Sequence, residues 1–230
     1  LSLVFLLRQR TMQAKQVTLE KEQRLNRARM NPHFFFNVLS SIQAFMLEKQ
    51  DSAPAVSYLS KFGKLMRSVL ENSRVDFIPL SEEITTLQNY LDIQKIRFGD
   101  KFDYQINVEN SIEAEQVGIP PMLAQPFLEN ALEHGIKPLN NKGKIDVLFR
   151  PEKNGIMLNI TDNGIGRIKA AELTAESDKQ SLATQITQER IAVLNQQHKA
   201  KIDFIIEDVV DSAHQIAGTR VTFHLPLINV

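Results

Sequence analysis

Ile156-Met157-Leu158-Asn159-Ile160-Thr161-Asp162-Asn163-Gly164-Ile165-Gly166 is the stretch on which the fold of this chain turns. A strand-like run ends in an acid followed by two glycines. Asp162 can accept a hydrogen bond from the exocyclic amine of a purine, and Gly164 and Gly166 let the backbone approach a ligand closely. Alone, the segment is equally an ordinary turn, since Asp-Asn-Gly after a strand is common turn chemistry. Its surroundings supply the weight. Phe102 to Val108, Ile145 to Phe149, Ile202 to Glu207 and Val221 to Leu225 are also strand-like, and helical patterns lie near Pro121 to His134 and Ile186 to Gln197. Strands and helices in this order predict an α+β layer, one mixed sheet covered by helices on one face.

Upstream lies Pro120-Pro121-Met122-Leu123-Ala124-Gln125-Pro126-Phe127-Leu128-Glu129-Asn130-Ala131-Leu132-Glu133-His134-Gly135. Asn130 and His134 are one turn apart on a shared helix face, so both can address one ligand. An asparagine carbonyl oxygen suits magnesium, which keeps most of its waters and bridges to substrate phosphates. Without context the same residues are a polar solvent face. Downstream, Gly218-Thr219 leads into Arg220-Val221-Thr222-Phe223-His224-Leu225-Pro226, a turn before a closing strand.

The first third of the chain has a different character. From Thr11 to Glu48 there is no glycine and only Pro32 interrupts a helical composition, which predicts one long, locally bent helix. Pro32 sits in Asn31-Pro32-His33-Phe34-Phe35-Phe36-Asn37, where a helix-interior proline costs about 3 kcal/mol. His33 shares a face with Asn37, Ser40 and Ala44, beside a mostly apolar face of Phe34, Val38, Ser41, Ile42 and Phe45, so His33 is expected to look outward. A turn over Lys49 to Pro54 precedes a second helix, with Ala55, Tyr58, Leu59, Phe62, Leu65, Met66, Val69 and Leu70 on one broad apolar face. Two such helices form a hairpin that cannot bury both stripes alone, and pairing two hairpins gives a four-helix bundle, hence a homodimer. Ser81-Glu82-Glu83 then opens a connecting helix through Ile84, Leu87 and Leu91 that ends near Gly99.

Composition narrows the partners. The chain has 230 residues, 43% hydrophobic and 23% charged, enough for one large or two modest units with real cores. Lys+Arg and Asp+Glu both count 27, so no global basic field draws nucleic acid, and phosphates must be met locally. Cysteine is absent, which excludes disulfides and thiolate metal sites. Leu1-Ser2-Leu3-Val4-Phe5-Leu6-Leu7 followed by Arg8, Arg10 and Lys15 reads as the trailing end of a transmembrane helix with cations on its cytosolic side. A signal peptide fits poorly, because the basic residues follow the apolar run.

An Asn-bearing helix, two strands, Asp-x-Gly-x-Gly, a variable stretch, a helix, then Gly-Thr and a last strand resembles, from about Lys101 to the end, the Bergerat ATP-binding fold. Pro79-Leu80-Ser81-Glu82-Glu83, Tyr90-Leu91-Asp92-Ile93-Gln94, Arg97-Phe98-Gly99-Asp100 and the segment around His33 sharpen this. Together they resemble the LytS/YehU-type sensor histidine kinases over nearly the whole chain. The resemblance implies an α+β chain, a hairpin dimerising to a four-helix bundle followed by a Bergerat-fold α/β sandwich. Residues 1–10 would end a transmembrane helix, 11–30 form a helical linker, 31–78 the phosphotransfer hairpin, 79–100 a connecting helix and 101–230 the ATP-binding domain. His33 matches the phosphoacceptor and Asn37 the residue that orients its ring. Asn130 matches the magnesium ligand, Glu129 and His134 the rest of its box, and Asp162 the adenine-reading carboxylate, with Gly164 and Gly166 shaping the pocket. Gly218 and Thr219 match a box near the phosphates. The cofactors implied are ATP and Mg2+. The partners are a second copy, the membrane, and a response-regulator receiver domain of the kind that carries a LytTR-type DNA-binding domain, with no direct contact to nucleic acid. The chain would lie at the cytoplasmic face of the bacterial inner membrane.

The lid departs from the family pattern, because Ala183, Thr184 and Ile186 stand where Gly, Leu and Asn are usual, leaving Arg190-Ile191. Arg190 can reach a phosphate as a charged fork or serve structure. His198, His214 and His224 match nothing and read as surface or strand residues. Two other functions compete. A Bergerat ATPase places a water-activating glutamate one turn before the magnesium asparagine, and Pro126 stands there; an idle signalling scaffold would have no use for His33, Asn130 and Asp162 together.

Overall fold

The structure is a computed structural model that describes residues 52–72, 74–174, 182–213 and 215–230. The expectations for the membrane-proximal end, the first hairpin helix, His33 and Asn37 lie outside those residues. The first described element, α1 (Ser52–Asn72), takes Pro54 into its opening turn, so Pro54 belongs to the helix and not to the turn expected to reach it. In a first turn the proline's missing N–H has no helical partner to lose. Part of the α1 apolar face is satisfied within the chain: Leu65 and Val69 are each 1% exposed and Phe62 packs on the same core.

Helix α2 (Leu80–Phe98) follows the short strand β1 (Ile78–Pro79). Glu82 and Glu83 in its first turn and Lys95 and Arg97 in its last complement the helix dipole. It buries Leu80, Leu87, Tyr90, Leu91 and Ile93 in the core that also holds the sheet. On its other side, Lys61 of α1 pairs with Asp92 at 2.7 Å, while Tyr104 donates its hydroxyl hydrogen to the second Asp92 oxygen at 2.5 Å. The connecting helix is therefore packed between α1 and the sheet.

The sheet has the order β2-β4-β5-β7-β6, from β2 (Phe102–Val108), β4 (Gly143–Glu152), β5 (Gly155–Asp162), β6 (Asp203–Val210) and β7 (Ile216–Pro226). Strands β2 and β4 run parallel and every other neighbouring pair is antiparallel, which makes it mixed as expected. Ile145, Val147, Phe149, Leu158, Ile160, Val221 and Phe223 point to the buried face. Gln105, Asn107, Lys144 and Arg150, displaced by one residue in the strand alternation, are exposed on the other. One helical layer covers one face, the α+β architecture that the strand pattern predicts.

Helix α3 (Gln125–Asn130) is seated by a ring cluster, in which Phe127 meets Phe204 and Phe223 at 5.4 Å each and those two stack at 5.1 Å. It continues as a π turn over Ala131–Ile136, shown by the Lys137 N–H donating to the Leu132 carbonyl five residues back at 2.9 Å. Helix α4 (Arg167–Thr174) and helix α5 (Leu182–His198) complete the layer. Three features were not read in the sequence: the π turn, α4, and the two-residue pairing of β1 with β3 (Gly118–Ile119). Each is too short to show a period.

Glu83 is the most deeply buried charged residue of α2, with 0% exposure. Its Oε2 accepts the Met122 N–H at 2.9 Å, tying α2 to the loop before α3. Burial pushes its pKa up to about 7, against the opposing pull of that bond and of the Arg190 charge. Because the folded pKa lies above the unfolded one, the folded protein holds the extra proton between about pH 4.5 and 7, and stability from this group falls as pH rises through that window. Urea unfolding at pH 5.5 and pH 8 should show a loss on the order of 1 to 3 kcal/mol that Glu83→Gln removes.

Candidate functional site

Strand β5 delivers Asp162 to its C-terminal end, where it is 7% exposed. The strand register sets Asp162 opposite Thr219 of β7 and Ile145 of β4. Its Oδ1 accepts the Gly164 N–H at 2.8 Å, and the Thr219 N–H is also turned to the carboxylate. Desolvation outweighs these two bonds and, with the nearby Asp208 charge, raises its pKa to about 6. The result is a buried acceptor that is ionised at neutral pH and held by backbone donors, so its aim is fixed by the sheet.

Three glycine positions make this possible. A Cβ on Gly164 would lie 2.6 Å from the Gly135 Cα, so only glycine permits the two backbones to come this close. Gly218 has φ +146°, and a Cβ there would lie 1.9 Å from the Asp162 carbonyl oxygen. Gly135 meets the turn in return: the Ile165 N–H donates to its carbonyl at 3.1 Å. The last residues of the π turn are thereby attached to the Asp162-Gly166 loop. Gly166 begins α4, its carbonyl accepting the Ala170 N–H at 3.1 Å.

Of the residues expected from the sequence, Asp162, Gly164, Gly218 and Thr219 are gathered at one end of the sheet. Glu129 and Asn130 are half-buried on α3, and His134 is exposed on the π turn. They belong to the element that ends at Gly135, so the π turn links that box to the Asp162 loop. Arg190 lies on the helix that packs against the Asn130-bearing one. It is 8% exposed on α5, and its charge acts on the buried Glu83. Its surroundings are those of an interior cation beside an acid. Thr184 of the altered lid segment is also buried, at 7% exposure. His198 bonds Asp76 at 2.9 Å and His224 bonds Glu152 at 3.0 Å, both far from the Asp162 loop in sequence and consistent with the surface and strand roles read for them.

Several contributing residues were missed. Asn163 locks the loop to β4 by accepting the Lys144 N–H at 2.5 Å and donating to the Lys142 carbonyl at 3.4 Å. Asp208 of β6 accepts the Arg167 N–H at 3.2 Å at the start of α4. Glu133 pairs with Arg97 and, at 3.0 Å, with Lys137. Partial burial opposes its ionisation, but Lys137 and Arg97 hold its carboxyl below the usual range. No sequence spacing announces Arg97 with Glu133, because the partners are far apart in the chain. Among the described residues no three His, Asp or Glu side chains gather as a cation cage. Magnesium does not require one: a single amide oxygen such as that of Asn130 fits an ion that takes its other ligands from water and phosphate.

Residues 21–102 match the family model described as Histidine kinase. The sensor protein LytS of Staphylococcus haemolyticus is 34% identical over 139 residues, covering 60% of this chain and 23% of that protein. The sensor histidine kinase YpdA of Escherichia coli is 24% identical over 218 residues, covering 94% of this chain and 36% of that one. The chain thus spans about a quarter to a third of the length of these relatives. The histidine kinase domain of the Erythrobacter litoralis EL346 blue-light activated histidine kinase superposes over 91% of this chain and 96% of that one, with 14% identity and a TM-score of 0.46. In sequence the chain is similar to LytS-type sensor histidine kinases.

The close approach of Gly135 and Gly164 makes a structural prediction. Gly164→Ala should lower unfolding free energy by about 2 to 4 kcal/mol, since the new methyl would meet the Gly135 backbone, which cannot step aside, and the buried Asp162 carboxylate. Gly63→Ala, with nothing within 4 Å and a helical backbone in α1, should raise it by about 0.5 to 1 kcal/mol. Urea denaturation of both variants checks the contrast.

Proposed function

We propose that this chain is the kinase core of a sensor histidine kinase in a two-component system, transferring the ATP γ-phosphoryl group to His33 and from there to a response-regulator aspartate. The observation that carries this is the buried Asp162 carboxylate, oriented by the Gly164 and Thr219 N–H groups and set against the Gly135 end of the Asn130-bearing element. A carboxylate so placed can accept the adenine amino hydrogen. Asn130, with Glu129 and His134, is the box we assign to the phosphate side, and Gly166, Gly218 and Thr219 are the backbone that lets the nucleotide lie close. Magnesium held through Asn130 would neutralise charge on the β- and γ-phosphates.

His33 acts through the ring lone pair of a neutral imidazole. One ring nitrogen bonds to the γ-phosphorus while the bond from phosphorus to the β,γ-bridging oxygen breaks. ADP leaves with that electron pair, and the ring proton passes to solvent. Asn37, one turn on, orients the ring. Positioning does most of this work, so the ATP-binding unit must swing until its γ-phosphate is in line with His33. The α1 helix and the segment before it would form the homodimeric bundle, and the phosphate would leave for a receiver domain of a regulator with a LytTR-type DNA-binding domain. Attachment to the cytoplasmic face of the inner membrane would come through residues 1–10. Among the described residues no helix is long and apolar enough to cross a membrane.

Pro126 in the first turn of α3 favours transfer over hydrolysis. With no carboxylate there to activate water, turnover without a receiver should be at least about 100-fold below that of a Bergerat ATPase. Incubation with γ-labelled ATP and magnesium should give acid-labile, base-stable label that His33→Ala abolishes and added receiver drains. Rapid phosphate release by His33→Ala would favour an ATPase instead. A pH series tests the pocket separately. Asp162 is ionised above about pH 6 and protonates below it, so adenosine affinity should fall about tenfold from pH 7 to pH 5. Asp162→Asn should bind weakly at both pH values.

A further inference from the structure

The end of the connecting helix does something that core packing does not require. Arg97, in the last turn of α2, reaches across to Glu133 in the π turn, with side chains 28% and 16% exposed. Just beyond the helix, the Lys101 ammonium donates to the Leu139 carbonyl at 2.5 Å. Asp103, the second residue of β2, takes Lys142 at 2.7 Å. Three residues within the seven positions 97 to 103 therefore grip residues 133, 139 and 142, in the π turn and in the chain that leaves it.

A π turn is intrinsically less favourable than continued α-helix and persists where its surroundings hold it. Here its register decides where Gly135 lies. Gly135 in turn receives the Ile165 N–H at 3.1 Å, and a Cβ placed on it would lie 3.2 Å from Asp162 Oδ1. If Arg97 released Glu133, the remaining partner would be Lys137, a side chain 59% exposed and on the same turn, which cannot anchor the turn to anything else. The turn would be free to rewind, moving Gly135 against Asp162 and moving Asn130 relative to both. The bond from Lys101 acts on the backbone itself, at the point where the segment turns toward β4.

The alternative is that these are ordinary surface ion pairs worth little. The Lys95 to Asp103 pair is of that kind, 2.8 Å apart with side chains 37% and 53% exposed. The Arg97 pair is more enclosed, engages the π turn that carries Gly135, and is backed by a second bond from the same segment.

From this we infer that Arg97 and Lys101 are positioning residues for the nucleotide site, bracing the π turn so that Gly135 and Asn130 stay in register with Asp162. They touch no substrate, and the assignment rests on the kinase function proposed above. Because α2 is also tied to α1 through Lys61 and Asp92, a displacement of the hairpin would reach the nucleotide pocket through this brace, without passing through the lid.

The test is calorimetric titration of the full chain with ADP and magnesium, together with KM and kcat for labelling from ATP. Arg97→Ala should weaken MgADP binding and raise the ATP KM about tenfold, the scale usual for residues that support a ligand-holding group, while kcat changes less than threefold. Arg97→Lys should recover part of the loss, and Lys95→Ala should bind like the parent. The double variant Arg97→Ala with Glu133→Ala should be no weaker than Arg97→Ala alone, as residues acting through one contact are not additive. Lys101→Met, which removes a single bond, serves if Arg97→Ala does not fold, and should weaken binding about threefold. Parent-like MgADP affinity in Arg97→Ala, or in Lys101→Met where that is the folded variant, overturns the brace and leaves the kinase function standing. Failure of the parent chain to bind MgADP at all overturns both.

Discussion

The backbone contact between Gly135 and Gly164 is the constraint on which the site depends. Two chain segments, one leaving a helix and one leaving a strand, meet with no side chain between them. That approach lets Asp162 sit buried behind the turn and take its hydrogen bonds from main-chain donors, whose positions the sheet fixes. A side chain at Gly164 would collide with the Gly135 backbone and with the Asp162 carboxylate, whereas one at Gly135 would crowd the Asp162 Oδ1 by a few tenths of an ångström. The same contact explains the π turn, since an extra residue in the turn places Gly135 where the loop can receive it.

Two acids carry the electrostatic consequences. Glu83 and Asp162 are both buried and both have raised pKa values, and in each case the main chain supplies the first bond. Their roles differ with their surroundings. Glu83 faces an interior that includes the Arg190 charge and ties the connecting helix to the loop before α3. Asp162 stands at a strand end beside a loop built from glycines, where a ligand can complete its hydrogen bonding. A buried acid with a cation in the core is the usual mark of structure, and the setting of Asp162 suits the recognition role proposed for it.

The connecting helix links these features to the rest of the chain. It shares its core with the sheet, takes Lys61 of α1 on one side, and reaches the π turn with Arg97 on the other. The phosphotransfer proposed above, in which a bound nucleotide must reach a histidine on another element, needs two mechanically related halves. A rigid helix packed against both is a physical means to that end, because packed interfaces shift between discrete arrangements more readily than they deform.

What the sequence determined by itself follows from periodicity and from the order of its motifs. Alternating apolar positions located the five strands of the sheet and helical spacing located α1, α2 and α5, whereas Asp162 with Gly164, Gly218 and Thr219 stood out only through the order of motifs that carries the family resemblance, since each turn alone is ordinary. What only the tertiary structure decided was everything set by partners distant in the chain. The π turn, the pairing of Arg97 with Glu133, the bond from Lys101 to Leu139 and the burial of Arg190 beside Glu83 leave no local pattern, because a charged residue on a helix looks the same in sequence whether it faces water or an acid in another element. Leu65 and Val69 make the same point for apolar residues: their spacing announces a buried face, and only the fold says what covers it.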